Sequence, residues 1–308
     1  MITYYQRTVK DQKLKRLESF KIGSLIHVEK PSAEEIEFLA KKFNLDINIM
    51  RDALDPYEAP RMEIKKKTTY IFTRVPRYDG ALKNISTFPT MFVLGKDFLL
   101  LFSLEETSFL ITALRRHKKH YTTQRTKLFI TLFFEVENRY NELLNKIDNR
   151  INYFGLNVGK VQDQDLVSFV RYEVILNEFI RALLPLRHVL TTIMAGKILE
   201  IYQYDKELIE DLQLNNEQLI ERTKSNLTNI ANLRQAQEVI STNRLNRVIK
   251  VLTVSTVVLA LPTMITSFYG MNVHLPWADR SLTFFGIVLF IVLFILVFLW
   301  FLRKKKII

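Results

Sequence analysis

Two groups of side chains in this chain are spaced for chemistry. Thr253, Thr256, Ala260, Thr263, Ser267 and Gly270 follow one another at intervals of three, four, three, four and three, so they share one face of a helix. That face offers hydroxyl oxygens and little bulk, which suits either of two jobs. Small and hydroxyl residues form close helix–helix seams inside a membrane. The same residue types let water wet a helix face without a full charge that would trap an ion. The second group, Tyr269-Gly270-Met271-Asn272, follows directly. An amide oxygen such as that of Asn272 can accept hydrogen bonds from the waters around a cation and recognise it without stripping them. Gly270 brings no side chain to crowd the turn, and Met271 is placed to pack and aim the asparagine. A Gly-x-Asn sequence also suits an ordinary helix C-cap.

The elements that must position these groups are two uncharged stretches, residues 251–270 and 281–302, each long enough to cross a bilayer as a helix. Residues 271–280 form the short external loop between them. In the second stretch FFGIVLFIVLFILVFLWFL puts bulky apolar side chains on every face, as contact with lipid requires. Arg244, Arg247 and Lys250 precede the first stretch, and Arg303, Lys304, Lys305 and Lys306 follow the second, whereas the loop carries only Asp279 and Arg280, which cancel. By the positive-inside rule both flanks, both termini and the basic tail 303–308 face the cytoplasm. The expected location is the cell membrane.

Between Gly196 and Pro262 there is neither glycine nor proline, which allows one helix of about 65 residues, roughly 100 Å long, running from the cytosol into the membrane. Its cytosolic half is thinly apolar, with Leu208, Leu212, Leu219, Leu227, Ile230, Leu233 and Ile240 among charged and amide residues. So narrow a stripe does not hold an isolated helix in water, so the helix should pack on its own domain and on copies of itself. Continuing the hydroxyl face toward the cytosol brings Ile249 and Asn246 to nearly the same side, with Leu252 beside them.

The first third reads as an α/β domain over residues 1–120, followed by a helical region over 121–250. Ser24–Glu29 is a β-prone run, and Ser32 with Glu35 three residues on forms a capping box for a helix carrying Ile36, Leu39, Ala40 and Phe43. A short helix over 47–54 stops at Asp55-Pro56. Strands are expected at 61–64, 69–75, 87–94 and 97–102, then helices at 107–120, 127–153 and 164–194.

Composition alone would conceal this division, since 48% hydrophobic and 25% charged residues describe an ordinary soluble protein. The absence of cysteine excludes disulfides and thiolate sites. The opening residues Met1-Ile2-Thr3-Tyr4-Tyr5-Gln6-Arg7 lack a basic head and apolar run, so the large region is expected to stay in the cytosol. The net charge of +12 comes with no nucleic-acid motif, and basic residues beside anionic lipid account for part of it. No phosphate-binding loop or histidine-activated serine is visible, so no enzyme and no organic cofactor are expected. His117-Lys118-Lys119-His120 has helical metal spacing, but its basic surroundings oppose a cation.

The Tyr-Gly-Met-Asn tetrad between two spans resembles the signature of the CorA family of divalent-metal transport proteins. The phrases PSAEEIEFLAKKF, DALDPYEAPRMEI and FPTMFVLGKDFLLLF resemble that family's cytoplasmic domain and extend the likeness to most of the chain. The resemblance implies a funnel-shaped homopentamer in which the first span lines a pore and Gly270, Met271 and Asn272 form its filter. Asn246, Ile249, Leu252, Thr253, Thr256, Ala260, Thr263 and Ser267 would line the path, with Ile249 and Leu252 as its apolar constriction. The cargo implied is magnesium, with cobalt or nickel also in range, moved inward by voltage. Internal magnesium bound between neighbouring cytosolic domains would hold the pore shut. Counting back from Asn246, Asp211 best matches an acid of that regulatory site, with Asp205, Glu207, Glu210 and Glu217 nearby. One departure is Val273-His274-Leu275-Pro276-Trp277, which separates the tetrad from the single acid Asp279, where relatives carry more acids; His274 could favour zinc, nickel or cobalt. Two other readings stand beside this one: a zinc or proton-coupled transporter of the same fold, and a membrane-tethered scaffold or sensor with no conductance.

Overall fold

The computed structural model describes residues 1–80, 84–116, 120–160, 163–195, 203–273 and 281–304. They fall into two compact units, Met1–Leu233 and Arg234–Ile308.

The first unit is built on a seven-stranded sheet. Its strands are β1 Ile2–Gln6, β2 Lys15–Leu17, β3 Ser24–Glu29, β4 Met62–Lys65, β5 Thr68–Tyr78, β6 Ile85–Leu94 and β7 Phe98–Ser103. The spatial order is β2-β1-β3-β7-β6-β5-β4. Every neighbouring pair is antiparallel except β3 with β7. This is an α+β arrangement.

The central strands read as unbroken apolar runs because both faces of the sheet are covered. In β7, Phe98, Leu100 and Phe102 enter one core with α1 (Ala33–Phe43) and α2 (Ile47–Asp52). Leu99 and Leu101 enter the other core, with α3 (Ser108–Arg116), α4 (Arg125–Leu156) and α5 (Asp163–Met194). The expected capping box is present: Glu35 N–H donates to Ser32 Oγ at 3.2 Å, and Ser32 N–H to Glu35 Oε2 at 3.0 Å.

Two strand boundaries differ from expectation by more than one residue. β5 runs on through Pro76 and β6 begins two residues early and contains Pro89, because β4 pairs β5 only as far as Ile71 and β7 pairs β6 only from Thr90. Each proline therefore has a neighbouring strand on one side only, where a missing N–H need not break a ladder. The strands β1 and β2 were not foreseen, since ITYYQ and KRL are short and KRL is charged. Such a charged edge is how sheets resist further pairing.

The helix α6 runs from Gln203 to Tyr269 through Pro262, and its residues up to Leu233 belong to the first unit. There Leu212, Leu219 and Ile230 are buried, with Leu208, Leu227 and Leu233 packed against the same core. Polar side chains complete the thin apolar stripe. Asn216 Nδ2 donates to the Leu183 carbonyl of α5 at 3.1 Å, and Asn226 Nδ2 donates to Asp148 Oδ1 of α4.

The second unit holds the rest of α6 and α7, Ser281–Lys304. Both helices are long and apolar enough to cross a membrane. Most of their large apolar side chains are exposed, including Leu252, Leu259, Phe284, Phe285 and Trp300.

Candidate functional site

The hydroxyl face exists as a continuous helical surface, and its oxygens have a definite orientation. Thr253 Oγ1 donates to the Ile249 carbonyl at 2.8 Å, Thr256 Oγ1 to Leu252 at 2.9 Å and Thr263 Oγ1 to Leu259 at 2.8 Å. Each proton is spent on the helix's own backbone, so each oxygen turns lone pairs outward. That face is a row of acceptors, suited to water molecules that are themselves oriented around a cation.

Asn246, Ile249, Leu252, Thr253, Thr256, Ala260, Thr263 and Ser267 are all exposed within the chain. The partly covered positions of the same span are Val254, Val258, Leu261, Pro262 and Ile265, on the opposite side of the helix. In α7 the partly covered positions are Ile287, Ile291, Ile295 and Phe298. The small-residue face is thus not the one that the rest of its unit covers.

At the end of the span Gly270 N–H donates to the Thr266 carbonyl at 2.9 Å and the Ser267 carbonyl at 3.2 Å, and Met271 N–H to Phe268 at 3.3 Å. Neither Gly270 nor Asn272 has positive φ, so the turn is not the left-handed C-cap that Gly-x-Asn can form. A Cβ on Gly270 would stand 3.4 Å from the Thr266 oxygen and 3.6 Å from that of Ser267, an ordinary contact. The chain's own backbone therefore does not demand glycine there. Met271 is half exposed, and Asn272 is exposed.

The acids near the start of α6 are dispersed. Asp211, Glu207 and Glu210 are exposed, and Glu217 pairs with Arg187 of α5. Asp205 is buried, which pushes its carboxyl above the ordinary range against the opposing charge of Lys127. Among the described residues no cluster of three acids or histidines could hold a metal. His120 Nδ1 lies 2.9 Å from Thr131 Oγ1. His117, Lys118 and Lys119, the loop with His274 and Asp279, and the tail beyond Lys304 lie outside the described residues.

Sequence reasoning missed a polar cluster between α4 and α6. Arg222 Nε donates to Asp148 Oδ2 at 2.6 Å and Nη1 to Asn141 Oδ1 at 2.7 Å. Close by, Glu137 is buried. The available signal was the run of amide and charged residues at positions of α6 where an amphipathic helix would carry apolar ones.

A covered mixed sheet, a helix that continues from the sheet-bearing unit into an apolar span with one hydroxyl face, and a second apolar helix define a two-span membrane transporter fold. The chain belongs to the CorA-like Mg2+ transporter protein family, which its residues 24–305 match. It is 22% identical over 289 residues to the cobalt/magnesium transport protein CorA of Methanocaldococcus jannaschii, covering 89% of this chain and 88% of that one. The complete structure of the CorA magnesium transporter from Methanocaldococcus jannaschii superposes with a TM-score of 0.87 at 20% identity, over 100% of this chain and 99% of that one. The full-length CmaX protein superposes with a TM-score of 0.75 at 16% identity, over 99% and 97%. The family is one of transporters, not of enzymes.

Proposed function

We propose that this chain forms a homopentameric channel in the cell membrane that admits hydrated magnesium. The observation that carries this reading is the exposed row of hydroxyl acceptors on α6, leading directly to Tyr269-Gly270-Met271-Asn272. Family membership and the basic residues flanking the spans support it, the latter favouring a cytoplasmic side for both flanks by the positive-inside rule. Copies of the row around an axis would make a wet path, with Ile249 and Leu252 as the apolar ring that dewets when it narrows. The Asn272 amides at its outer end would accept hydrogen bonds from the ion's waters, so the reluctant dehydration of magnesium is not required.

No fuel is needed, because a divalent cation entering an inside-negative cell gains roughly twice 2.3 kcal/mol per 100 mV. Liposomes holding only this protein should take up magnesium under an imposed voltage. Asn272→Ala should reduce that uptake about tenfold or more, since each copy loses a hydrogen bond worth ~1 kcal/mol and 1.4 kcal/mol is a factor of ten. Unaltered magnesium uptake in Asn272→Ala would overturn the filter. Uptake that follows a pH gradient and ignores magnesium would favour zinc or proton-coupled transport, and no conductance at all would favour a scaffold or sensor.

The exposed Asp211, which among the described residues belongs to no group of three potential metal ligands, is proposed to bind internal magnesium together with a neighbouring copy. Asp211→Ala should then raise the internal magnesium needed to suppress current. Suppression at the same concentration sends the role to another stalk acid.

A further inference from the structure

The cleft between α4 and the part of α6 in the first unit contains a buried acid with nothing to bind. Glu137, Asn138 and Asn141 of α4 face Asn215, Gln218 and Arg222 of α6 around a space of about 140 Å³. Glu137 is 3% exposed, and neither of its carboxyl oxygens has a hydrogen-bond partner. The amide of Asn215 stands close enough to favour the charged form slightly, but burial outweighs it and pushes the carboxyl up to about 9. A buried carboxyl left without partners costs stability and calls for an explanation.

Arg222, the other titratable group lining the cleft, does not answer the acid. Its Nε and Nη2 donate to Asp148 and its Nη1 to Asn141 at 2.7 Å, while Nη2 also reaches Asn145. Its charge and donors are committed to Asp148 and two amides, which leaves the amides of Asn138, Asn215 and Gln218, whose oxygens can turn toward a cation, around one acid. A cation that brought its own bound waters would answer the ionised form of this acid, its charge offsetting the carboxylate and its waters donating to the carboxyl and amide oxygens. No thiolate or imidazole lines the space, so the metal-ligating atoms the cleft offers are hard oxygens, suited to magnesium, calcium or manganese and not to softer metals. At ~30 Å³ per water the space holds about four or five waters, enough for an ion that keeps part of its shell.

We infer that the Glu137 cleft is a weak binding site for a partly hydrated divalent cation, contained within one chain and separate from the stalk acids. Only the choice of ion rests on the transport reading above; the cleft itself stands on its lining. An ion there would tie α4 to α6 through Glu137 and the amides of Asn215 and Gln218.

The test is manganese binding to the purified full-length protein in detergent, counted by electron paramagnetic resonance at fixed pH, with magnesium as competitor. Glu137→Gln matches the size and neutrality of the protonated acid, so it should fold, yet it removes the site's only anionic ligand. It should lose one weak manganese site per chain, its Kd rising at least about tenfold, while Asp211→Ala keeps that site. Asn215→Asp adds a second carboxylate and should tighten binding. Unchanged manganese binding in both cleft variants overturns the inference, even if Asn272-dependent flux persists. Absent flux with the manganese site intact would overturn the channel and leave the cleft standing.

Discussion

The two parts of α6 face opposite demands. Up to Leu233 its apolar side chains are mostly covered by their own chain, with Leu212 at 0% exposure and Leu214 the exception at 58%. Beyond Arg234 its apolar side chains lie open, with Leu252 at 66% and Leu259 at 69%. The buried part satisfies water by hiding apolar groups and pairing polar donors it hides, as the Nδ2 groups of Asn216 and Asn226 do. The open part is satisfied only where the surroundings are themselves apolar, or where further copies cover it. One helix is thus held by two solvents, and substitutions should separate its halves.

The largest separation is expected from Ala260→Leu on the hydroxyl face. It should remove most magnesium flux in liposomes, on the order of tenfold or more because a bulky apolar ring dewets the path, while leaving the denaturant midpoint of the first unit in place. A variant that conducts normally would mean that this face lines no pore. In the buried half, Leu212→Ala should behave the other way. It should cost about 2–5 kcal/mol of stability by denaturant unfolding of the full chain, with the flux of molecules that remain folded unchanged. A loss below ~1 kcal/mol would mean that the stalk is not held by this core.

The finest test concerns slope with pH. Glu137 is kept protonated in the folded chain up to about 9, whereas the unfolded chain gives up that proton in the ordinary carboxyl range. Between those limits the folded state binds more protons, so this group's contribution to stability is full below the ordinary carboxyl range and declines as pH rises toward 9. Glu137→Gln should flatten that decline without moving the flux of the spans. An unchanged pH profile would show that the acid is solvated.

Much of this arrangement was legible because local rules and tertiary outcome agree. The Ser32/Glu35 box, the unbroken apolar run of β7 and the two apolar spans each announce themselves within a few residues. The tetrad at 269–272 was found by spacing and by likeness. Other features were hidden for physical reasons. β1 is a strand only because β3 offers an edge to pair with, and β2 only because β1 then offers one in turn, partners that their own short sequences do not reveal. Pro76, read as a boundary from the sequence, sits inside β5 because β4 has ended by there. The pairing of Arg222 with Asp148, 74 positions apart, depends on the chain between them being folded back, so neither residue signals it alone.

The sequence by itself determined where the apolar spans lie, which face of the first one carries hydroxyls, and that one helix could join a soluble region to a membrane. Periodicity and hydropathy are properties of neighbouring residues, so they survive without the fold. Only the tertiary structure decided which side of α6 is covered, that Gly270 is not needed for a left-handed turn, and that Glu137 is enclosed without a partner. Burial and pairing depend on residues far apart in the chain, and they exist only once the chain has folded back on itself.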